Sequence, residues 1–249
     1  MPAKISFTGR KSQIGEYLKG DYNFISYDLM NEDTWTPLLD SDYIFLLLPK
    51  NKHTLSAVKQ FVLKAMDSNI KHIIKIGSLG PWRLVHNQID SFMLESGIPY
   101  TSFDIAPLMN NIFTEQYISD DKKLLDYRKN APAPYLDPVC LSSAIEQCIG
   151  RKEHYNKNYK CTGDMQYTIT EIKDILIAKG YPVNHIEHTT NNRIHKLMDG
   201  DPDTMMMDHI GNRYKTEGWY PPVSSHLKNY FKTQSRTLEQ FIDQDRIIF

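Results

Sequence analysis

Short apolar runs and longer amphipathic stretches alternate through the first half of this chain. The short runs predict strands, at 5–7, 24–27, 43–48, 72–76 and 100–103. The stretches between them have the length and spacing of helices, at 13–18, 32–39, 54–66 and 85–94. Because parallel strands need long crossover connections, usually helices, this alternation predicts an α/β fold with a doubly wound parallel sheet. The run at 43–48 lacks polar alternation and is predicted to be covered on both faces.

The pattern is looser after residue 111. It predicts a stiff proline-containing connector at 131–134 and a strand at 159–162. Three more helices are predicted at 141–149, 168–179 and 237–247. The segment 191–211 is rich in Asn, Asp and Met and is predicted to be a lid or pocket wall. We therefore expect an α/β core at 1–155 and a smaller α+β lobe at 156–249, packed together as one continuous globular unit.

Composition narrows the class of protein. The 29 Lys and Arg residues almost balance the 30 Asp and Glu residues. The net charge of the chain therefore gives no electrostatic attraction to nucleic acid or to an anionic membrane. Cys140, Cys148 and Cys161 lack the spacing of a zinc site or a disulfide framework and are expected to be reduced core thiols. No apolar run approaches the roughly 18 residues of a membrane-spanning helix. We expect a soluble cytoplasmic protein, monomeric or homodimeric, with a small-molecule substrate and no nucleic-acid or membrane partner.

The N-terminal segment has the outline of a dinucleotide-binding turn. A short apolar run leads into Gly9, and Gly15 opens the next predicted helix. In such turns the backbone N–H groups at a helix N-terminus bind a pyrophosphate. Ser12 stands where the middle glycine is expected, and its Cβ narrows the approach to the backbone. Arg10 and Lys11 would either meet a 2′-phosphate, which favours NADP(H), or be solvated.

Several other segments follow one another in a family-like order. In the middle of the chain they are Lys75-Ile-Gly-Ser-Leu79, His86-Asn-Gln-Ile-Asp90, Ser96-Gly-Ile-Pro-Tyr-Thr101 and Leu108-Met-Asn-Asn111. Nearer the end they are Tyr159-Lys-Cys-Thr-Gly163, Thr168-Ile-Thr-Glu-Ile172 and Ser235-Arg-Thr-Leu-Glu-Gln-Phe241. Together they resemble the NmrA-like branch of the atypical short-chain dehydrogenases, over nearly the whole chain.

This resemblance implies that 1–155 is a Rossmann-like dinucleotide-binding core that binds NADP(H) and that 156–249 is a substrate-binding lobe. It implies that the cofactor is held by the first turn and by the ends of two later strands, through Gly9, Arg10, Ser12, Gln13, Ile14, Gly15, Leu48, Pro49, Gly77 and Ser78. An apolar substrate pocket is expected around Trp82, Met109, Asn110, Phe113 and Met206, although such residues also serve as core packing.

Two features depart from the family pattern. Asp104 stands where the family usually has an arginine, and the interval from Gly15 to Tyr43 is short. Because 23–39 resembles the third strand and helix of the family, we expect the sheet to be one N-terminal strand short. In the alternative interpretation, Asp28 is the carboxylate that binds the adenosine ribose, since it lies about 20 residues beyond Gly9.

The candidate catalytic pair is His86 and Asp90. Four residues apart on a predicted helix, their side chains can touch, and a carboxylate beside an imidazole favours its protonated form. The same pair would equally serve as a structural hydrogen bond. No Tyr-x-x-x-Lys motif occurs near 80–95, so hydride chemistry would need His86 or a substrate group as its acid. Two such residues without a third predict no metal site.

Three functions are consistent with these features. The first is an NAD(P)(H)-dependent oxidoreductase acting on a small, largely apolar metabolite of the kind found in secondary metabolism. The second is a cofactor-independent isomerase or cyclase on a degenerate Rossmann scaffold. The third is a non-catalytic regulator that senses NADP.

Overall fold

The computed structural model describes residues 6–9, 23–48, 53–80, 83–113, 122–126, 130–188 and 222–245. In chain order, its strands are β1 Ser6–Gly9, β2 Asn23–Ser26, β3 Tyr43–Leu47, β4 His72–Ser78, β5 Tyr100–Ile105, β6 Lys123–Asp126, β7 Ala133–Pro134, β8 Lys157–Cys161, β9 Gln166–Tyr167 and β10 His185–His188. Its α-helices are α1 Thr36–Leu39, α2 Thr54–Met66, α3 Arg83–Ser96, α4 Pro138–Cys148, α5 Ile169–Ala178, α6 His226–Phe231 and α7 Leu238–Asp245. Short 3-10 helices lie at Glu32–Thr34, Met109–Phe113 and Lys152–His154.

The central sheet is parallel. Its four hydrogen-bonded strands are ordered β3-β4-β5-β8, and β1 pairs in parallel with β2. Helices α2 and α3 are the crossovers between its first three strands, as parallel pairing requires. The predicted doubly wound α/β architecture is therefore confirmed. Residues 27–42 are described throughout and contain short helices but no strand.

Two hydrophobic clusters cover the two faces of this sheet. On one face, Ile73 of β4 packs with Phe61 of α2 and Ile89 of α3. On the other face, Ile76 packs with Leu141 of α4 and residues of α6. Alternate residues of a strand point to opposite faces, so β4 divides its side chains between the two clusters.

Strand β3 corrects one prediction. Ile44 and Leu46 are buried, whereas Tyr43, Phe45 and Leu47 are 41%, 50% and 69% exposed. The run was predicted to be covered on both faces, but one face of the strand is exposed because an uninterrupted apolar sequence does not specify what packs on it.

A third cluster lies around α5 and α7. It includes Ile172, Leu176 and Phe241 together with Met109 of the 3-10 helix after β5. The short pairs β6–β10 and β7–β9 belong to the same half of the chain, and β7 falls within the predicted connector. Strand β8 lies beyond the predicted boundary at 155 and nevertheless completes the sheet beside β5. The division at 155 stays a prediction, and 191–211 lies outside the described residues.

The three cysteines are free and buried, as predicted. Within the described part of the chain, no helix is long and apolar enough to cross a membrane. The same residues hold no group of three His, Cys, Asp or Glu side chains placed to bind a metal ion.

Candidate functional site

The carboxyl ends of the parallel strands form one edge of the sheet. There Leu79, just after β4, donates its N–H to the Ile105 carbonyl at 2.9 Å, and Ala106 donates to the Cys161 carbonyl at 2.8 Å. Ligands of open α/β sheets bind outside this edge. The structure thus places the predicted cofactor residues Gly77 and Ser78 at the edge where such ligands bind.

Other predicted cofactor and substrate residues are distributed as follows. Gly9 ends β1 opposite Ser26 of β2, and Leu48 is buried directly after β3. The remaining ones lie outside the described residues, namely Arg10, Ser12, Gln13, Ile14, Gly15, Pro49, Trp82 and Met206.

A cluster of buried charges lies under α3. The ammonium of Lys75 is fully buried and lies 2.6 Å from Asp90 Oδ1 and 3.8 Å from Asp104 Oδ1. The amide of Asn158 donates to Asp90 Oδ2 at 2.8 Å and to Asp104 Oδ2 at 3.0 Å. The cluster therefore holds the Lys75 ammonium and the Asp104 carboxyl group away from water, whereas Asp90 is partly buried and Asn158 is exposed.

Strand register explains why these side chains meet. Lys75 of β4 is opposite Ser102 of β5, and Ser102 is opposite Asn158 of β8. Paired residues of neighbouring strands point to the same face, so the three side chains form one row across the sheet. Asp104 lies in the next row, opposite Gly77.

Gly77 is required by this packing. A Cβ at Gly77 would lie 2.3 Å from Asp104 Oδ1, 3.3 Å from Lys75 Nζ and 3.4 Å from Cγ of His86. The Lys75 ammonium also donates to the His86 carbonyl at 3.4 Å. The predicted catalytic residue His86 is buried and lies against the strand end where we expect the cofactor.

The predicted catalytic residue Asp90 is an acceptor in the buried cluster. Burial raises its pKa above the ordinary value, and nearby Asp104 acts in the same direction, whereas Lys75 opposes both. Burial, with Asp90 and Asp104, also raises the pKa of Tyr100 to about 12.

The sequence analysis missed the roles of Lys75, Asp104 and Asn158. A lysine inside the apolar run of β4 was the available signal, because charged residues are almost never fully buried unless paired. Its partners come from elements that only the fold brings together.

A cavity of about 420 Å³ lies beyond the ends of β5 and β8. Its walls combine aromatic, methionine and polar side chains, from Met109, Tyr135, Asp164, Met165, Tyr167, Gln234, Ser235, Arg236, Thr237 and Gln240. Of the predicted substrate residues, Met109 lines this cavity, Asn110 is exposed, and Phe113 packs against the rings of Tyr181 and Phe241.

Two of the family-like segments shape the cavity wall. A Cβ at Gly163 would lie 1.9 Å from the Tyr135 carbonyl oxygen, so only glycine permits that close approach. Arg236 forms two hydrogen bonds to Asp137, from Nε at 2.6 Å and from Nη2 at 2.9 Å. Burial acts to raise the pKa of Asp137, but the bonds from Arg236 and Val139 outweigh it and hold that pKa below its usual value.

Comparison with solved structures identifies the fold. A nucleoside-diphosphate-sugar epimerase from Staphylococcus aureus is 18% identical with a TM-score of 0.72, over 96% of this chain and 90% of that chain. A Citrobacter sp. triphenylmethane reductase complexed with NADP(H) is 15% identical with a TM-score of 0.67, over 90% and 83%. NmrA, a negative transcriptional regulator, is 13% identical with a TM-score of 0.64, over 90% and 80%. The chain has the Rossmann-like fold that these structures share. No protein-family model and no curated protein matches the sequence.

Within this fold, the pairing of β2 concerns the strand that was expected to be missing. Because β2 pairs directly with β1, Asp28 follows the end of the strand next to β1. That is where a Rossmann fold places its ribose-binding acid. Asp28 is exposed, and its carboxylate accepts the Met30 N–H at 2.9 Å. A deleted second strand would also leave this strand paired with β1, so both interpretations stay predictions.

Proposed function

We propose that this protein is an NAD(P)(H)-binding oxidoreductase that reduces a small, largely apolar molecule. The observation that supports this most is the position of Gly77 and Ser78 at the carboxyl end of β4, beside His86. In a parallel sheet this is where a bound dinucleotide is reached. The cavity lined by Met109 and Tyr135 follows the ends of the next two strands and would hold the substrate.

The described residues fit a nicotinamide cofactor in one specific respect. The hydroxyl oxygen of Ser78 accepts the Gly80 N–H at 3.0 Å, which leaves its own hydrogen to be donated. No described residue accepts that hydrogen, so a cofactor or substrate carbonyl would find a donor there. When bound, a reduced nicotinamide would supply the hydride, and the chain would supply binding, orientation and a proton.

The choice between NADP(H) and NAD(H) depends on two opposed features. Arg10 and Lys11 favour a 2′-phosphate, whereas a carboxylate at Asp28 would bind a free 2′-hydroxyl and repel a phosphate. We retain NADP(H) as the proposed cofactor, in line with the NADP(H) complex of the Citrobacter reductase. The experiment below compares the binding of NADP(H) with that of NAD(H).

Calorimetric titration with NADPH, NADP⁺, NADH and NAD⁺ tests this proposal. We expect saturable binding of at least one dinucleotide, with NADPH tighter than NADH, and weaker binding after Gly9→Val. Asp28→Asn is the matched variant for specificity and should improve NADPH binding if its carboxylate faces the 2′ position. The absence of binding by all four dinucleotides at millimolar concentration would overturn the proposal.

A second candidate function is a non-catalytic nucleotide-sensing regulator. Helix α3, described over its whole length, has no tyrosine, so the Tyr-x-x-x-Lys catalyst is absent from it, and one protein with the same fold is a negative transcriptional regulator. Dinucleotide binding without NADPH oxidation across a panel of apolar dyes and carbonyl compounds, together with a recovered protein partner, would favour this candidate. NADPH oxidation coupled to reduction of a panel member would favour the oxidoreductase.

A further inference from the structure

The cavity beyond β5 and β8 has an apolar floor and a polar mouth. Met109, Tyr135 and Tyr167 line it and are buried, whereas the lining residues Asp164 and Met165 are exposed. Its volume of about 420 Å³ is within the range of pockets that hold small molecules. Aromatic rings and methionine side chains pack well against flat apolar molecules. The floor therefore favours a ligand with an aromatic or other apolar body.

The cavity wall fixes the chain on both sides of Asp164. Before it, Gly163 lies so close to the Tyr135 carbonyl oxygen that no Cβ fits between them. After it, Met165 accepts a hydrogen bond at its sulfur from the Tyr167 hydroxyl, with 3.8 Å between the two atoms. Because both contacts are made with lining residues, Asp164 is held in a defined position at the mouth.

The carboxyl group of Asp164 has no counter-ion. It accepts no hydrogen bond and forms no ion pair among the residues that the structure describes. Burial raises the pKa of the Cys140 thiol, the Thr233 hydroxyl opposes this, and the carboxylates of Asp137 and Asp164 act with burial. The negative charge of Asp164 therefore acts inside the wall as well as at the mouth.

The cation of the cavity lining, Arg236, is already engaged. It donates from Nε and Nη2 to the two carboxylate oxygens of Asp137, and from Nη1 to Gln244 Oε1 at 2.8 Å. The edge of a guanidinium that binds a carboxylate in this bidentate way is occupied and does not bind a second one. Among the described residues of the lining, the excess charge is therefore one negative charge, at Asp164.

Two further carboxylates lie within electrostatic reach of the floor. Burial raises the pKa of the Tyr167 phenol, the hydrogen bond from the Leu238 N–H lowers it, and the carboxylates of Glu239 and Glu171 raise it. A pocket whose surrounding charges have one sign attracts ligands of the opposite sign. The charges of this cavity therefore favour a cation over an anion.

We propose that this cavity binds a small molecule with a flat apolar body and one cationic amine, and that Asp164 binds the amine at the mouth. An ammonium there would donate a charge-assisted hydrogen bond to the carboxylate, which is stronger than a neutral one. The body would displace water from the floor formed by Met109, Tyr135 and Tyr167. That such an amine is also the molecule reduced rests on the proposed oxidoreductase function.

Three ligands with the same body and different charges test this proposal. They are naphthylethylamine, which is cationic near neutral pH, naphthylethanol, which is neutral, and naphthylacetate, which is anionic. Each is titrated against the whole chain without dinucleotide, and binding is measured from the NMR signals of the ligand. We expect the amine to bind about fivefold tighter than the alcohol, which is the gain from a partly exposed ion pair. The acetate should bind weakest.

Substitutions at Asp164 test its charge directly. In Asp164→Asn the preference for the amine should disappear, while the affinity for the alcohol stays within about twofold of wild type. In Asp164→Lys the order should reverse, so that the acetate binds tightest. Asp67→Asn removes an exposed carboxylate directly after α2 and should keep the wild-type order of the three ligands.

Met165→Ala is the matched change in the apolar part of the cavity. It should weaken the amine and the alcohol by a similar factor and leave their ratio unchanged, because it removes contact with the body and not the charge. Equal affinities of wild type for the amine and the alcohol, or an unchanged preference in Asp164→Asn, would overturn the proposal. Absence of binding by all three ligands at millimolar concentration would overturn it as well.

The ligand titration separates this inference from the proposed function, because it contains no dinucleotide. A failure to bind NADPH would remove the oxidoreductase and leave the amine-binding cavity as measured. NADPH binding without any preference for the amine would retain the oxidoreductase and assign its substrate to another chemical class.

Discussion

His72 illustrates how a titratable residue is held neutral in this fold. It is fully buried, and its Nε2 lies 2.9 Å from the Thr101 hydroxyl oxygen. That hydroxyl donates to the His154 carbonyl at 2.7 Å, so Nε2 must carry the hydrogen of the ring. A second ring proton on Nδ1 would have no acceptor among the described residues. Burial, with a contribution from His154, lowers the pKa of His72 to about 4.

This histidine should make stability depend on pH. In the unfolded chain His72 binds a proton below about pH 6.5, whereas the folded chain binds it only near pH 4. Stability should therefore be complete above pH 6.5 and be lost as pH falls from 6.5 to 4, by about 3 kcal/mol in total. In His72→Gln, urea unfolding at pH 7, 5.5 and 4.5 should show a flatter profile than in wild type.

The matched substitution is at His53, which is exposed. His53→Gln should keep the pH profile of wild type, because the substitution leaves the buried His72 in place. Identical profiles for wild type and His72→Gln would contradict the account of His72.

The ends of α5 show how local sequence sets an element. Thr168 accepts the Glu171 N–H through its hydroxyl at 3.1 Å, and Glu171 accepts the Thr168 N–H at 2.7 Å. Gly180 follows the helix with φ of +84°, a conformation that glycine adopts without strain. Both signals lie within a few residues of the helix, which is why the sequence predicted this element closely.

Removing the cap should cost a measurable amount of stability. Thr168→Ala loses the hydroxyl acceptor and leaves a helix N–H unsatisfied, so the free energy of unfolding should fall by about 1 kcal/mol. Thr168→Ser keeps the hydroxyl, so its free energy of unfolding should stay within about a few tenths of a kcal/mol of the wild-type value. Chemical denaturation of the three proteins checks this, and equal losses in both variants would mean that the methyl group, not the cap, is responsible.

Most other elements were also predictable from periodicity, with errors of a few residues at their ends. Helix α2 was predicted at 54–66, as observed, whereas α4 begins at Pro138 with Asp137 as its cap, earlier than the predicted start at 141. The missed start reflects an unused signal, since an acidic residue followed by proline favours a helix N-terminus. The exposed face of β3 had no local signal, because coverage is a property of the whole packing.

At the scale of the molecule, Arg236 joins parts of the chain that are 99 residues apart. Its guanidinium binds both oxygens of Asp137, which also accepts the Val139 N–H and so caps α4. The sequence resemblance included this arginine but not its partner, because nothing near either residue specifies the other. The candidate site also could not be predicted from local sequence, because its charged cluster joins residues of β4, α3, β5 and β8.

Breaking this ion pair should be costly. In Arg236→Met the nearly buried Asp137 carboxylate would lose its cation, and the free energy of unfolding should fall by about 3 kcal/mol. Arg236→Lys keeps a charge but not the two parallel bonds and should lose less. The comparison pair is Lys179 and Asp243, in which the carboxylate is 57% exposed. Lys179→Met should cost no more than about 1 kcal/mol in the same urea titration, and equal losses in the two methionine variants would contradict this account.

The bridge made by Asn158 has a consequence for how the protein is synthesised. Asn158 follows Asp104 by 54 residues, so on the ribosome β4, α3 and β5 emerge well before the amide that joins their two carboxyl groups. During that interval the acidic pair has Lys75 but no Asn158, and the open edge of β5 lacks the hydrogen bonds that β8 supplies later. The nascent N-terminal part therefore cannot complete the hydrogen bonds of its two carboxyl groups on its own. The pairing of β8 with β5 supplies these bonds, so the acidic pair is fully hydrogen-bonded only after the chain has been synthesised beyond residue 158.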